Sequence, residues 1–159
     1  MDLHLLCFLV LTELFPVSAS LSYVDKMGEQ YTERLGVCVA VAMAAEQQQV
    51  RPSWAVSVAM EESRMTSPVS SAGARGPLQV IPRWGCDKGK AKGCDFVRAG
   101  LVVMRKWMAM FPKPREWLCH YGSGNNCTKA SKAYADRVIK RQHRLSAMLS
   151  SISPDLAGL

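Results

Sequence analysis

Residues 54–82 read "WAVSVAMEESRMTSPVSSAGARGPLQVIP". The first part, Trp54 to about Arg64, carries apolar and small residues at helical spacing, and Ser53 offers an N-cap for that helix. The following residues, 67–77, are rich in serine, glycine and proline, which is typical of turns. Only "PLQVIP", at 77–82, has the composition of a strand. This stretch therefore predicts a helix that ends in a turn-rich loop with at most a small β element.

The rest of the chain continues the helical pattern. Breaks at proline and glycine and a good N-cap at Asp95 divide it into predicted helices. These cover 24–49 (one or two helices), about 95–110, about 115–121 and about 129–149. At 159 residues the chain has the size of one domain with a hydrophobic core. We therefore expect a mainly α fold in a single domain.

The N-terminal residues 1–19 allow three interpretations. Leu3 to Phe15 is largely apolar, and Val17 to Ala19 has the small-x-small pattern of a signal-peptidase site, but no Lys or Arg precedes the apolar stretch. The segment can be a cleaved signal peptide, an uncleaved membrane anchor or an ordinary core helix. We interpret 1–19 as a signal peptide or membrane anchor, 20–150 as the folded domain and 151–159 as a tail.

The chain is basic, with a formal net charge of +7, and all 20 lysines and arginines follow Ala19. This excess favours an anionic partner, although it also serves solubility. The chain has neither a zinc finger nor an aromatic RNA-binding signature, so we expect no nucleic-acid partner. The loop "DKGKAKG", 87–93, could hold anionic glycan or stem peptides, or could be a solvated basic loop.

The chain has six cysteines, and four of them form two pairs with the same spacing. Cys86 with Cys94 and Cys119 with Cys127 each enclose a Gly-containing loop of the same length, which predicts two local disulfides. A zinc site that also uses His120 is the alternative, but structural zinc ligands usually come in more closely spaced pairs. Cys38 is interpreted as a buried free thiol, since Cys7 would leave with a cleaved leader. The cysteines and the leader indicate an exported protein, periplasmic or extracellular.

The two adjacent glutamates of the first helix differ on a helical wheel. Ser57, Glu61 and Arg64 share a narrow polar arc that we expect to face water, with a weak pair between Glu61 and Arg64. Glu62 falls among apolar residues instead. Burial of a carboxyl group raises its pKa, which keeps a general acid protonated near neutral pH. A glutamate that bends out to solvent or meets an arginine is the other interpretation of Glu62.

From Glu62 onward the chain resembles the soluble lytic transglycosylase (SLT) family, peptidoglycan-cleaving enzymes with a lysozyme-like fold. The resemblance covers about 44–145 and implies that 20–150 is a lysozyme-like catalytic domain. The matching residues are Glu62-Ser63, Ser70, Gly73-Ala74, Gly76, Leu78-Gln79 and Pro82, followed by "YGSG" at 121–124 and "KAYADRVIK" at 132–140. The chain departs from the family pattern in having Pro77 and Leu78 where the family usually has Leu-Met, in a spacer about one residue shorter than is common, and at Gly122, where the family usually has Asn.

The resemblance implies cleavage of the bond between N-acetylmuramic acid and N-acetylglucosamine, with closure of a 1,6-anhydro ring. It implies that Glu62 is the single general acid and base, and that no metal or cofactor takes part. It further implies that Ser70, Gln79 and Tyr121 line the cleft, that Ile81 and Pro82 shape its floor, and that a loop contains Gly73, Ala74 and Gly76. The partner would be a peptidoglycan glycan strand, cut by a monomer that could belong to a phage particle or to secretion or conjugation machinery.

Two other functions stay open at this point. A lysozyme-type hydrolase would need a second carboxylate, such as Asp87 or Asp95, opposite Glu62. A non-catalytic peptidoglycan-binding protein of the same fold would need none.

Overall fold

The computed structural model describes residues 2–15 and 24–152, with side chains described for 2–15 and 28–152. Helices make up most of these ranges, and the fold is mainly α, as the sequence predicts. In chain order they are α1 (Leu3–Leu11), α2 (Val24–Gln47), α3 (Pro52–Ser63), α4 (Pro82–Gly85), α5 (Phe96–Met110), α6 (Pro114–Ser123) and α7 (Lys129–Ile152), with a 3-10 turn at Asp87–Gly89 between α4 and α5.

The central helix is α3, against which α1, α2 and α7 all pack. Its side chains are buried almost all round, which is the pattern of a helix inside a core. This corrects the prediction of a solvent-facing arc for two of its three residues, because Ser57 is fully buried and Glu61 faces α7. Arg64 is exposed, as predicted. The N-cap prediction was also wrong: α3 begins at Pro52, whose missing N–H suits the first turn, and Ser53 lies buried within the helix.

The other predicted helices form close to their expected bounds. The Asp95 side chain caps α5 by accepting from the backbone N–H of Val97 at 3.1 Å and of Arg98 at 3.0 Å. The last helix, α7, runs three residues further than predicted, to Ile152. Between α3 and α4 the β element is reduced to two isolated bridges, which join Arg75 to Val69 and to Val80.

Helix α1 lies in the core and packs on α2, α3 and α7. Its Cys7 pairs with Cys38 of α2, with 5.7 Å between the Cα atoms. This corrects the prediction of a free thiol at Cys38, which assumed that Cys7 leaves with the leader. Removal of the segment on export stays a prediction. Its cleavage site at Val17 to Ala19, like residues 153–159 of the tail, lies outside the described residues.

The two predicted local disulfides are also present. Cys86 pairs with Cys94 and Cys119 with Cys127, with Cα atoms 5.6 Å and 5.5 Å apart. Disulfides persist in oxidising compartments, so three such pairs suggest an exported protein. Within residues 2–15 and 24–152, none of the helices combines the length and the apolar character needed to cross a bilayer.

Candidate active site

Glu62 lies in the last turn of the central helix, where the chain turns sharply. Helix α3 ends at Ser63, and the next two residues, Arg64 and Met65, take left-handed backbone angles with φ of 53° and 60°. Met65 is fully buried, and the Ser63 hydroxyl donates to the carbonyl of Ala59 at 3.0 Å. Left-handed angles at non-glycine residues persist only where the surrounding packing imposes them. The backbone that carries Glu62 is therefore firmly placed.

The Glu62 carboxyl group is partly buried and has one side-chain partner. The hydroxyl of Tyr134, on α7, donates to Glu62 Oε1 at 2.7 Å. Burial raises the pKa of Glu62; the hydrogen bond from Tyr134 lowers it, and the nearby charge of Glu61 raises it. The net effect moves the pKa from the ordinary 4.5 to about 7. A group with this pKa can both give and take a proton near neutral pH.

Glu61 has the opposite electrostatic state. It is bound by two arginines of α7, at 2.6 Å from Arg137 Nε and 3.1 Å from Arg141 Nη1. Partial burial alone would raise its pKa, but the hydrogen bonds and charges of these arginines hold it below the ordinary value. The predicted weak pair with Arg64 is replaced by these ion pairs. Glu61 is thus a permanently charged neighbour of Glu62.

The loop after α3 is fixed by its own backbone contacts. Ser70 Oγ accepts from the backbone N–H of Ala74 at 3.0 Å, and Gly73, with φ of 80°, donates its N–H to the Ser70 carbonyl. The Gln79 amide nitrogen donates to the carbonyls of Pro68 and Gly76, at 3.0 and 2.9 Å. Ser70 and Gln79 therefore shape this loop directly, whatever contacts they make to a ligand.

Gly76 shows why this loop needs a glycine. Its φ is 75°, and a Cβ atom there would lie 2.5 Å from the Cβ of Phe96 at the start of α5. Such a distance is far below van der Waals contact, so any side chain would force the loop and α5 apart. Because Gly76 has no side chain, the loop can lie directly against α5.

Tyr121 connects α6 to the same loop. Its hydroxyl donates to the backbone carbonyl of Leu78 at 2.7 Å. Burial, and after it the charge of Glu62, raises the pKa of both Tyr121 and Tyr134 well above the ordinary value. Both hydroxyls therefore stay protonated and serve as donors. The structure thus brings together Glu62, Tyr121 and Tyr134 from three helices.

Gly122 replaces the asparagine of the family pattern and has a packing reason of its own. A Cβ atom at Gly122 would lie 3.2 Å from Cδ1 of the Tyr134 ring. The absence of a side chain here lets the ring sit where its hydroxyl reaches Glu62. Tyr134 was not among the site residues expected from the sequence. Tyr134 lies four residues before Val138, and this helical spacing predicts that both side chains are buried. The spacing does not predict that the Tyr134 hydroxyl contacts Glu62.

The proposed floor of the cleft leads into an exposed surface. Ile81 is 39% exposed, and Pro82 is the first residue of α4. Trp84, two residues further, is 61% exposed and has the Arg83 guanidinium 4.8 Å from its ring centroid. Trp84 was likewise not among the residues singled out from the sequence.

The structure also describes the candidate second carboxylates, Asp87 and Asp95, and the candidate zinc ligand, His120. Asp95 caps α5, and Asp87 lies exposed in the 3-10 turn. His120 stacks on Phe111, with ring centroids 4.1 Å apart, and its Nδ1 lies 2.8 Å from the carbonyl of Gly124. In the part of the chain that the structure describes, no three His, Cys, Asp or Glu side chains come together as metal ligands would.

A comparison of the chain with models of known protein families, with curated protein sequences and with solved structures finds no significant match.

Proposed function

We propose that the protein is a peptidoglycan lytic transglycosylase in which Glu62 is the only acid and base. The proposal depends mainly on one observation about Glu62. Its carboxyl group is fixed at the end of the central helix, and its pKa is raised to about 7. Perturbed carboxyl groups of this kind concentrate at catalytic sites. The ordered motif from Glu62 to Pro82, which resembles that of the SLT family, supports the same assignment.

In the first step, protonated Glu62 gives its proton to the glycosidic oxygen between N-acetylmuramic acid and N-acetylglucosamine. The bond from that oxygen to C1 of the muramic acid breaks, and the 2-acetamido group of the substrate stabilises the developing positive charge at C1. In the second step, the C6 hydroxyl of the same sugar attacks C1 and passes its proton to the Glu62 carboxylate. The anhydro ring closes, water is not consumed, and Glu62 returns to its protonated form.

A single carboxyl group is sufficient for this route, whereas ordinary glycoside hydrolysis uses two. The surroundings of two other acids support this distinction. Glu61 is paired with Arg137 and Arg141, and the side chain of Asp95 is occupied as the cap of α5. An acid held by arginines or by backbone N–H groups is a poor base for activating water.

The remaining residues of the proposed cleft belong to two groups. Tyr121 and Tyr134 lie on α6 and α7, and Tyr134 donates to Glu62. Ser70 and Gln79 belong to the loop after α3, which Tyr121 contacts through the carbonyl of Leu78. We expect this loop to form a wall of the cleft. Ile81 continues this wall with an exposed apolar side chain. We expect these groups to contact the sugar rings on either side of the bond that is cleaved.

The test is mass spectrometry of the muropeptides released from purified sacculi. We expect products that end in 1,6-anhydro-muramic acid, and a loss of at least about a hundredfold in rate for Glu62→Gln. Glu46→Gln is the matched control, because it makes the same chemical change at an exposed position in the last turn of α2. Its rate should equal that of the unchanged protein.

Two results would contradict the proposal. Products with a reducing end would assign the protein to the lysozyme-type hydrolases. Unchanged wall lysis by Glu62→Gln would remove Glu62 from the catalytic role altogether.

A further inference from the structure

We propose that α4 and the loop closed by Cys86 and Cys94 form a second binding site on the glycan strand, specific for sugars that carry stem peptides. In this site Trp84 packs on a sugar ring, and Lys88, Lys90 and Lys92 bind the free carboxylates of the peptides. We call these four residues the Trp84–lysine surface. The identity of the ligand rests on the proposed function.

The first observation is the exposure of Trp84. A tryptophan that is 61% exposed, on a helix of only four residues, leaves a large apolar surface in water. Arg83 covers one part of the ring through a cation–π contact. Tryptophan and arginine are enriched where binding energy concentrates in interfaces. Packing of a sugar ring on Trp84 would remove this apolar surface from water.

The second observation is that this surface continues the proposed cleft. Pro82, the first residue of α4, directly follows Ile81, which is itself exposed at the end of the cleft wall. A glycan strand is a long polymer, so a strand that passes Ile81 would reach Trp84 next. The site would therefore bind sugars beyond the bond that Glu62 cleaves.

The third observation is that the surface is held rigidly. A Cβ atom at Gly85 would lie 2.6 Å from Cγ2 of Val80 and 3.0 Å from the carbonyl oxygen of Ala99, so α4 is pressed onto the core. The disulfide closes the loop, and the loop folds back over α4, where a Cβ atom at Gly89 would lie 3.4 Å from Cα of Arg83. A surface fixed in this way loses little conformational entropy when it binds a ligand.

The fourth observation is the charge of the loop. The three lysines are exposed, and among the described residues none of them forms an ion pair with an acid. Asp95, at the end of the loop, is engaged as the cap of α5. Flexible ammonium groups on a fixed loop suit carboxylates whose positions vary along a peptide. Stem peptides supply such carboxylates next to the sugar chain.

The test measures binding to two soluble probes by an inactive protein that carries Glu62→Gln. One probe is glycan strands that bear stem peptides. The other is the same strands stripped by an amidase, which removes the peptide carboxylates and leaves only the lactyl carboxylate on each muramic acid. Changing the three lysines to glutamine should weaken binding to the peptide-bearing strands about tenfold and leave the stripped strands unaffected. Trp84→Ala should weaken binding to both probes.

A second triple variant is the matched control, with glutamine at Lys129, Lys132 and Lys140. These lysines are exposed on α7, and the variant makes the same change in net charge. An equal loss of affinity in this control would overturn the proposal in favour of non-specific attraction. Unchanged affinity in the loop variant would also overturn it, and so would a loss confined to duplex DNA as a third probe.

The two proposals can fail separately. If the active protein releases no anhydro-muropeptides but the loop variant still loses affinity for peptide-bearing strands alone, the proposed reaction is wrong and the binding site stands. If anhydro-muropeptides form and the loop variant binds both probes normally, the reaction stands and the Trp84–lysine surface has no such role.

Discussion

The hydrogen bond between Tyr134 and Glu62 gives a prediction with a definite sign. In Tyr134→Phe the donor at 2.7 Å from Glu62 Oε1 is lost. This donor favours the carboxylate and lowers the pKa of Glu62, so its removal raises that pKa further above about 7. A hydrogen bond to a charged group contributes about 1.5–3 kcal/mol, and one pKa unit corresponds to about 1.4 kcal/mol. Partial replacement by water leaves an expected rise of about one unit.

The assay is the pH dependence of the initial rate of wall lysis. The alkaline limb of kcat/KM reports loss of the proton from the general acid, so it should move about one unit towards higher pH in Tyr134→Phe. The control is Tyr31→Phe, which removes a hydroxyl on α2 from a ring packed edge-on against Phe15 and should leave the limb unchanged. A folded Tyr134→Phe protein whose limb stays in place, or moves to lower pH, would refute the assigned link between this tyrosine and Glu62.

Three further predictions follow from the structure. Glu61→Gln removes a negative charge that raises the pKa of Glu62, so the alkaline limb of the rate profile should move to lower pH. An unmoved limb would show that the charge of Glu61 does not affect the pKa of Glu62. Gly76→Ala places a Cβ atom 2.5 Å from that of Phe96 and should lower the free energy of unfolding by about 2–4 kcal/mol, measured by denaturant titration. Gly73→Ala, with similar φ but open space, should cost less, and equal losses would count against the packing argument. Finally, thiol titration of the denatured, unreduced chain that retains α1 should find no free thiol, and two reactive thiols at Cys7 and Cys38 would contradict the pairing of these cysteines.

Much of the helical framework follows from local signals in the sequence. Asp95 has the side chain and position of an N-cap, and the structure uses it as one. The apolar stripe of α7 and the proline breaks around α6 placed those helices within a few residues of their observed bounds. These signals succeed because they depend on residues that are neighbours along the chain.

The errors arose where the outcome depends on packing between distant segments. The pair of Cys7 with Cys38 requires α1 to lie on α2, whereas the prediction of a free thiol at Cys38 assumed that Cys7 leaves with a cleaved leader. The polar arc with Glu61 was expected to face water, because a helical wheel shows which residues share a face but not what covers that face. Only the position of α7 determines that arginines cover it.

Helix α7 sets the chemical state of both glutamates. Tyr134, Arg137 and Arg141 are spaced three and four residues apart, so they form one stripe on this helix, and the stripe lies against the end of α3. The tyrosine meets Glu62, and the two arginines meet Glu61. Two chemically identical neighbours thereby acquire pKa values displaced in opposite directions, one that keeps a charge and one that exchanges a proton near neutral pH.

The same stripe extends the electrostatic environment of the site to the N-terminal segment. Arg141 also binds Glu13, at 3.0 Å from its Oε1, just after the end of α1, and Arg144 binds Glu13 as well. Arg141 is thus shared between Glu13 and Glu61, and its position depends on both. A substitution of Glu13 would therefore act on Glu62 only indirectly. It would change the position of Arg141, and with it the ion pair between Arg141 and Glu61. Its effect on the alkaline limb should accordingly be smaller than that of Glu61→Gln.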